Sequence, residues 1–115
     1  MHEMGVAEGI VETALNARGD RQGRITTICV EVGSLSAVNV QSLEFWMDLT
    51  LQKKGMEAAE VKIERVPATV KCDCGNRYQA EDMFSGCREC GSLVREVLAG
   101  MNVNVKYIEV EDDEQ

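Results

Sequence analysis

The chain has 115 residues and a formal net charge of −8, which suits one small domain, or a small domain with an additional metal-held lobe. Apolar residues make up 44% of it and aromatic residues only 4%, enough for a modest core but not for a deep substrate cavity. Its apolar runs are too short to cross a bilayer, so we expect no membrane insertion.

The first third of the chain predicts a helix followed by a strand. Over residues 3–18 apolar side chains recur at helical spacing, and Gly19-Asp20 ends that pattern. The apolar stripe of this helix is expected to contain Met4, Ala7, Val11, Ala14 and Leu15. β-Branched residues dominate positions 25–32 and predict a strand, in which Cys29 packs as a small apolar side chain rather than as a metal ligand.

A second helix is expected after Asn39, which is a suitable N-cap residue. Apolar residues at helical spacing follow it, namely Val40, Leu43, Met47 and Leu51. The two lysines and the glycine of residues 53–55 suit the C-terminus of this helix. Phe45 and Trp46 are expected to lie in the core or to be partly covered.

Two further strands complete the predicted fold. Residues 60–66 read as a strand that Pro67 ends, because proline lacks an N–H and has a fixed φ. A cysteine-rich segment follows, and residues 103–110 predict the third strand. The fold class is therefore α/β (α+β), a small three-stranded sheet with two helices plus an inserted zinc-ribbon-like lobe. The expected domains are an α/β domain of residues 1–67 plus 101–110, a zinc-binding lobe of residues 68–100, and an acidic tail of residues 111–115.

Four of the five cysteines form two close pairs, each followed by glycine: Cys72-Asp73-Cys74-Gly75 and Cys87-Arg88-Glu89-Cys90-Gly91. A tetrahedral zinc ion takes four soft ligands at about 2.3 Å, and thiolates are well suited to it. Glycine tolerates the positive φ that a tight turn around a metal requires. We therefore expect a closed, structural zinc site on Cys72, Cys74, Cys87 and Cys90.

Other uses of these cysteines stay open at this point. A rubredoxin-like iron site would take the same four ligands, and a close pair of thiols could carry redox chemistry. A disulfide framework is disfavoured, because the N-terminus has no secretory pattern and Cys29 would remain as an odd fifth cysteine. The same observations lead us to expect a cytoplasmic location.

The charge of the cysteine-rich lobe argues against nucleic acid as a partner. Residues 68–100 contain four basic and five acidic side chains, whereas a phosphate-binding surface needs clustered Lys and Arg. Zinc loading takes the formal charge of the chain from −8 to near −10, because four thiolates and one dication together add −2. An enzyme is not expected either, since the chain has one histidine, no internal Ser/His/Asp set and no glycine-rich phosphate loop.

The N-terminal triplet Met1-His2-Glu3 carries the single histidine. A histidine at this position is usually only a frayed terminal residue. However, a free α-amine, the next amide nitrogen and an imidazole can form adjacent chelate rings on one ion. Nitrogen donors in that arrangement suit Ni(II) or Cu(II) rather than tetrahedral zinc.

Several motifs follow each other in the order seen in one known family: Met1-His2-Glu3-Met4, Glu31-Val32-Gly33-Ser34-Leu35-Ser36, Leu43-Glu44-Phe45 and the two cysteine pairs. Over essentially its whole length, the chain resembles the HypA family, the nickel metallochaperones of NiFe-hydrogenase maturation. The triplet at the N-terminus combined with the cysteine lobe is the specific part of this resemblance.

The resemblance implies that Ni(II) is carried as cargo on His2, with the Met1 amine, nearby backbone amides and Glu3 beside it, in the domain of residues 1–67 plus 101–110. It implies structural Zn(II) on the four paired cysteines. The implied partners are a nickel-handling maturation GTPase and the hydrogenase large subunit, which receives the nickel. One departure is the spacing Cys72-x-Cys74, where the family usually has Cys-x-x-Cys, so we expect a more strained turn or a more exchangeable zinc. The alternative function is a zinc-ribbon adaptor that binds proteins without a nickel role.

Overall fold

The computed structural model describes residues 2–112 of the chain. The elements in chain order are α1 (Glu3–Arg18), β1 (Arg24–Gly33), α2 (Val40–Lys53), β2 (Glu60–Val66), β3 (Ala68–Cys72), β4 (Arg77–Ala80), β5 (Arg95–Ala99) and β6 (Val103–Glu111). The strands form two three-stranded sheets, with the orders β2-β1-β6 and β4-β3-β5. The predicted fold class is confirmed, with a second small sheet that the sequence patterns do not indicate. Over residues 2–112, no helix is both long and apolar enough to cross a membrane.

The chain divides into two compact units. The first unit contains Met1–Glu31, Val38–Glu64 and Asn104–Gln115, and the second contains Val32–Ala37 and Arg65–Val103. The four paired cysteines belong to the second unit, which we call the cysteine unit. It includes Val32–Ala37, a segment that the sequence patterns do not assign to it. That the α/β domain of residues 1–67 plus 101–110 binds nickel and the lobe of residues 68–100 binds zinc stays a prediction. Residues 113–115 of the expected acidic tail lie outside the described residues.

The two helices of the first unit pack against each other. Their buried residues are Ala7, Ile10, Val11 and Ala14 in α1 and Leu43, Met47, Thr50 and Leu51 in α2. Met4, which the pattern places in the stripe, is 37% exposed because it lies in the first turn, ahead of the buried segment. Asn39 caps α2 as predicted, since its side chain accepts a hydrogen bond from the Ser42 N–H at 2.9 Å.

Trp46 is partly covered, as expected, but Phe45 is more exposed than the sequence pattern suggests. Phe45 is 60% exposed, because it lies two positions from Leu43 and two from Met47, the buried residues on either side of it. Two helical positions correspond to a rotation of about 200°, which turns Phe45 away from the buried face. Its ring meets Trp46 edge to face with a centroid distance of 5.2 Å, so the pair forms an aromatic surface feature of α2.

The cysteine unit has a small core around its central strand, β3. The buried residues Leu35, Ala68, Val70 and Ala80 form one cluster, with Tyr78 and Val97 packed against it. Strand β3 pairs antiparallel with β4 on one side and with β5 on the other. This core contains no large aromatic side chain at its centre, so its apolar burial is limited.

Backbone hydrogen bonds attach Val32–Ala37 to the rest of the cysteine unit. The Ser34 N–H donates to the Val66 carbonyl at 2.8 Å, and the Leu35 N–H donates to the Gly100 carbonyl at 3.0 Å. Only glycine fits at position 33, because the backbone of Gly100 lies so close that a Cβ there would be 2.2 Å from the Gly100 oxygen. The Ser34 hydroxyl donates to the Ala80 carbonyl and accepts from the Ala68 N–H at 2.8 Å.

We predict that Ser34→Ala destabilises the cysteine unit. The substitution removes a hydroxyl that satisfies a donor and an acceptor at once, and it leaves the N–H of the fully buried Ala68 without its partner. The expected loss in the free energy of unfolding is about 1–3 kcal/mol, measured by urea unfolding at constant metal content. The matched control is Thr13→Ala, which removes an exposed hydroxyl that bonds the Gly9 carbonyl within α1 and should change stability by less than about 0.5 kcal/mol. Equal effects of the two substitutions would contradict the assigned role of Ser34.

Candidate metal centre

The structure brings the four paired cysteines together. The Sγ atoms of Cys72, Cys74, Cys87 and Cys90 all lie within 4.8 Å of one another. The shortest separations are 3.4 Å between Cys72 and Cys90 and 3.7 Å between Cys74 and Cys87. Four sulfurs around a tetrahedral ion at about 2.3 Å would be separated by about 3.8 Å, whereas a disulfide requires about 2.05 Å. The cluster therefore fits a four-thiolate metal site, and its residues are free cysteines.

Two backbone turns present these sulfurs. In the first turn, the N–H of Gly75 donates to the Cys72 carbonyl at 2.8 Å, and Gly75 has a φ of 94°. In the second turn, the N–H of Gly91 donates to the Cys87 carbonyl at 2.7 Å, and Gly91 has a φ of 74°. The first turn closes over three residues and the second over four, which follows directly from the shorter Cys72-x-Cys74 spacing. The shorter turn nevertheless delivers its sulfurs to the same cluster.

Hydrogen bonds to sulfur and mutual repulsion set the ionisation of the cluster. Burial raises the pKa of Cys87, but the Cys90 backbone N–H and the Asn76 side-chain amide at 3.6 Å stabilise its thiolate and lower that pKa to about 6. At Cys72, Cys74 and Cys90 a backbone N–H favours the thiolate, yet burial and the neighbouring sulfurs raise the pKa above its usual value. Ionising one thiol therefore disfavours ionising the next.

A bound cation is what allows four thiolates to coexist at these distances. A divalent ion placed among the sulfurs offsets half of their negative charge and replaces the lost hydration with metal–sulfur bonds. An all-sulfur tetrahedral donor set suits zinc or iron. Four protein ligands leave no open position, so a metal held here would not be offered to a substrate.

Cys29 is separate from this cluster and lies in the first unit. It is fully buried, as expected, and its thiol donates to the Glu64 carboxylate at 3.7 Å. Burial and the adjacent negative charge of Glu64 raise the pKa of Cys29, which keeps it protonated and unreactive.

The expected nickel ligands lie at the start of α1. Met1 is outside the described residues. His2 is exposed at the N-cap position, its carbonyl accepts the Val6 N–H at 3.1 Å, and its imidazole makes no capping hydrogen bond. The Glu3 carboxylate accepts the Asn39 backbone N–H at 3.1 Å, and this bond holds the pKa of Glu3 below its usual value. The Glu3 carboxylate is thus ionised, and the backbone N–H of Asn39, the N-cap residue of α2, orients it.

Two contacts that support the candidate metal ligands are not predicted from the sequence. The amide of Asn76 reaches the Cys87 sulfur, and the only signal for it is that Asn76 directly follows the turn glycine Gly75. The hydrogen bond from Asn39 to Glu3 joins residues 36 positions apart, so no local pattern indicates it.

The sequence of the chain matches one protein family over nearly its whole length. A family model described as "Hydrogenase/urease nickel incorporation, metallochaperone, hypA" matches residues 1–110, so the chain is of the nickel metallochaperone class. The Geobacter metallireducens hydrogenase maturation factor HypA is 33% identical over 112 residues, which cover 96% of this chain and 100% of that protein. The factor of the same name from Acidithiobacillus ferrooxidans is 32% identical over 114 residues, with the same coverage. The chain belongs to the HypA family, as its motifs predict.

Solved structures agree with this fold. The solution structure of the Ni metallochaperone HypA from Helicobacter pylori superposes with a TM-score of 0.70 at 17% sequence identity, covering 98% of this chain and 100% of that chain. A second solution structure of a HypA protein gives a TM-score of 0.66 at 19% identity, with 98% of each chain covered. The shared architecture therefore persists where most of the sequence differs.

We predict that metal removal separates the cysteines into two reactivity classes. In metal-loaded protein, none of the five thiols should react rapidly with an alkylating reagent at neutral pH, because four are ligands and Cys29 is buried with a raised pKa. After a chelator is added, the four clustered cysteines should react and Cys29 should remain slow, as measured by mass spectrometry of labelled peptides. If Cys29 reacted together with the other four, its burial in a separate metal-independent core would be contradicted.

Proposed function

We propose that this chain binds Ni(II) at its N-terminus and delivers it during maturation of NiFe-hydrogenase. The observation that carries the proposal is the family match over residues 1–110, combined with an exposed His2 at the start of α1. Nickel is cargo in this account, so the chain is a carrier rather than an enzyme. It acts in the cytoplasm, hands nickel to the hydrogenase large subunit and works with a nickel-handling maturation GTPase.

The chemistry of the N-terminus supports this role for His2. The Met1 amine, adjacent backbone amide nitrogens and the imidazole supply nitrogen donors from consecutive residues, an arrangement suited to square-planar Ni(II). The imidazole is available because it forms no capping bond with α1 and is exposed. Glu3 lies beside these donors with an ionised carboxylate, which favours a cation nearby.

Glu3 also gives the nickel segment a defined position. Its hydrogen bond to the Asn39 N–H links the first turn of α1 to the N-cap residue of α2. His2 is exposed, and the donors before Glu3 are local in sequence, so contact with a partner could remove them one at a time. A carrier needs this combination, because nickel must be held in a defined geometry and still be released.

The four clustered cysteines have the opposite role in this proposal. They hold one structural Zn(II), with Cys72 and Cys87 each only 3% exposed. Zinc is favoured over iron because it takes a closed four-thiolate site with no redox chemistry, which suits a purely structural centre. In small modules such metal binding contributes about 10 kcal/mol or more to folding.

We predict that His2→Ala abolishes specific nickel binding and leaves zinc in place. Loss of the imidazole should weaken Ni(II) affinity by at least about a hundredfold, since even removing an outer-shell partner costs about 10–100-fold. The measurement is calorimetric Ni(II) titration of zinc-loaded protein with a native, untagged N-terminus. Glu8→Gln is the matched control, because it changes an exposed residue of the same helix. A His2→Ala protein that binds nickel like the parent would favour the zinc-ribbon adaptor function instead.

We predict that acidification releases nickel before it releases zinc. Protons compete with Ni(II) for the imidazole and amine nitrogens, so nickel affinity should fall steadily as the pH is lowered from about 7.5 to 6.0. Equilibrium dialysis at each pH, with both metals quantified, gives the two release curves. Nickel affinity that stayed constant over this range would mean that the ligands do not include these nitrogens.

A further inference from the structure

The shorter of the two cysteine turns is a β-hairpin loop that an asparagine closes. Strands β3 and β4 pair antiparallel, and at their end the Cys72 N–H donates to the Asn76 backbone carbonyl at 2.7 Å. Residues 73–75 lie between these two, and Gly75 ends the loop with a φ of 94°. A turn followed by a residue of positive φ is a common three-residue hairpin loop. The Cys72-x-Cys74 spacing therefore fits a regular hairpin, whose closure fixes the backbone of Asn76.

Asn76 contacts three of the four candidate zinc ligands. Its backbone carbonyl accepts the Cys72 N–H, its own N–H bonds to the Cys74 sulfur, and its side-chain amide donates to the Cys87 sulfur at 3.6 Å. The first two contacts lie within the first turn, whereas the third crosses to the second turn. Because all three belong to one half-buried residue, the first turn cannot shift without moving the side-chain donor away from Cys87.

The corresponding residue of the second turn makes the same backbone contacts but uses its side chain differently. Ser92 closes that turn, since its carbonyl accepts the Cys87 N–H at 3.1 Å. Its own N–H bonds to the Cys90 sulfur, just as the N–H of Asn76 bonds to the first turn. The Ser92 hydroxyl, however, accepts the Val94 N–H at 3.0 Å. Of these two closing residues, Asn76 is therefore the one whose side chain reaches the opposite turn.

A side-chain N–H that points at a ligand sulfur acts on the metal through that sulfur. Such a hydrogen bond stabilises the negative charge of the thiolate and fixes the orientation of the ligand. The backbone N–H groups of Cys90 and Glu89 favour the Cys87 thiolate from within the second turn, and Asn76 adds a donor from the first turn. The Cys87 sulfur is therefore held from both sides of the cluster.

We propose that Asn76 is a positioning residue of the zinc site, which ties the hairpin loop of Cys72 and Cys74 to the Cys87 sulfur and slows the release of zinc. The proposal rests on the four-thiolate zinc site proposed above, and it adds a residue that acts through a sulfur rather than by binding the metal itself. With this contact in place, the short spacing of the first cysteine pair does not make the zinc more exchangeable.

The direct test detects the Asn76–Cys87 hydrogen bond in metal-loaded protein. Full-length ¹⁵N-labelled protein is loaded with ¹¹³Cd, an NMR-active substitute for zinc, whose chemical shift reports how many sulfurs bind it. The expected result is a scalar coupling between ¹¹³Cd and a side-chain amide proton of Asn76, carried through the Cys87 sulfur. Four sulfur ligands without this coupling would overturn the role of Asn76 and leave the zinc site intact. Fewer than four sulfur ligands would overturn the zinc site, and the proposal with it.

A matched pair of variants measures what this contact contributes. Asn76→Asp keeps the shape of the side chain and the backbone bonds but replaces the N–H donor by a carboxylate oxygen. It should weaken zinc binding by about 10–100-fold, measured by competition with a chelator, and should leave nickel binding unchanged. Asn102→Asp makes the same change at an exposed asparagine of the cysteine unit and should change zinc affinity by less than about twofold. Equal zinc affinity of the two variants would contradict the proposal.

Discussion

The convergence of four cysteine sulfurs is the interaction on which the cysteine unit depends. The apolar core of this unit consists of one leucine, one valine and two alanines, with a tyrosine and a valine partly covered beside it. Burial of a valine or leucine side chain contributes about 1.5–3 kcal/mol, so this core is small against the entropy of ordering the chain. In the zinc-loaded state that we propose, metal binding of about 10 kcal/mol or more in such modules is therefore the larger contribution. The turns that end at Gly75 and Gly91 bring the four sulfurs to that centre.

The two metal sites that we propose differ in the way that a carrier requires. The cysteine site draws its ligands from two turns 13 or more residues apart, so losing its metal means losing local structure. The proposed N-terminal site draws on consecutive residues, of which His2 is exposed and Glu3 is tied to α2 by its hydrogen bond to the Asn39 N–H. A metal bound at the second site can leave without unfolding the protein. The structural metal is thus held by residues that the fold brings together, and the transported metal by residues that are adjacent in the sequence.

Much of the fold could be predicted because its signals are local. Helical spacing gave the bounds of α1, and the cap residue Asn39 gave the start of α2. The pairing of Val32–Ala37 with the cysteine unit and the second sheet, β4-β3-β5, were not predicted. Those two features depend on contacts between distant residues, whereas the exposure of Phe45 follows from its position between Leu43 and Met47 and is a local feature of α2. The cysteine cluster was predictable from spacing alone, whereas His2 became a candidate only when its donor chemistry was combined with the motifs of the HypA family.

We propose that one chain holds two chemically distinct metal centres, with sulfur reserved for the structural one. X-ray absorption at the zinc and nickel edges of protein loaded with both metals tests it most directly. We expect four sulfur neighbours around zinc at about 2.3 Å, and a nickel shell of nitrogen and oxygen donors that includes an imidazole. Sulfur in the nickel shell, or nitrogen in the zinc shell, would contradict it.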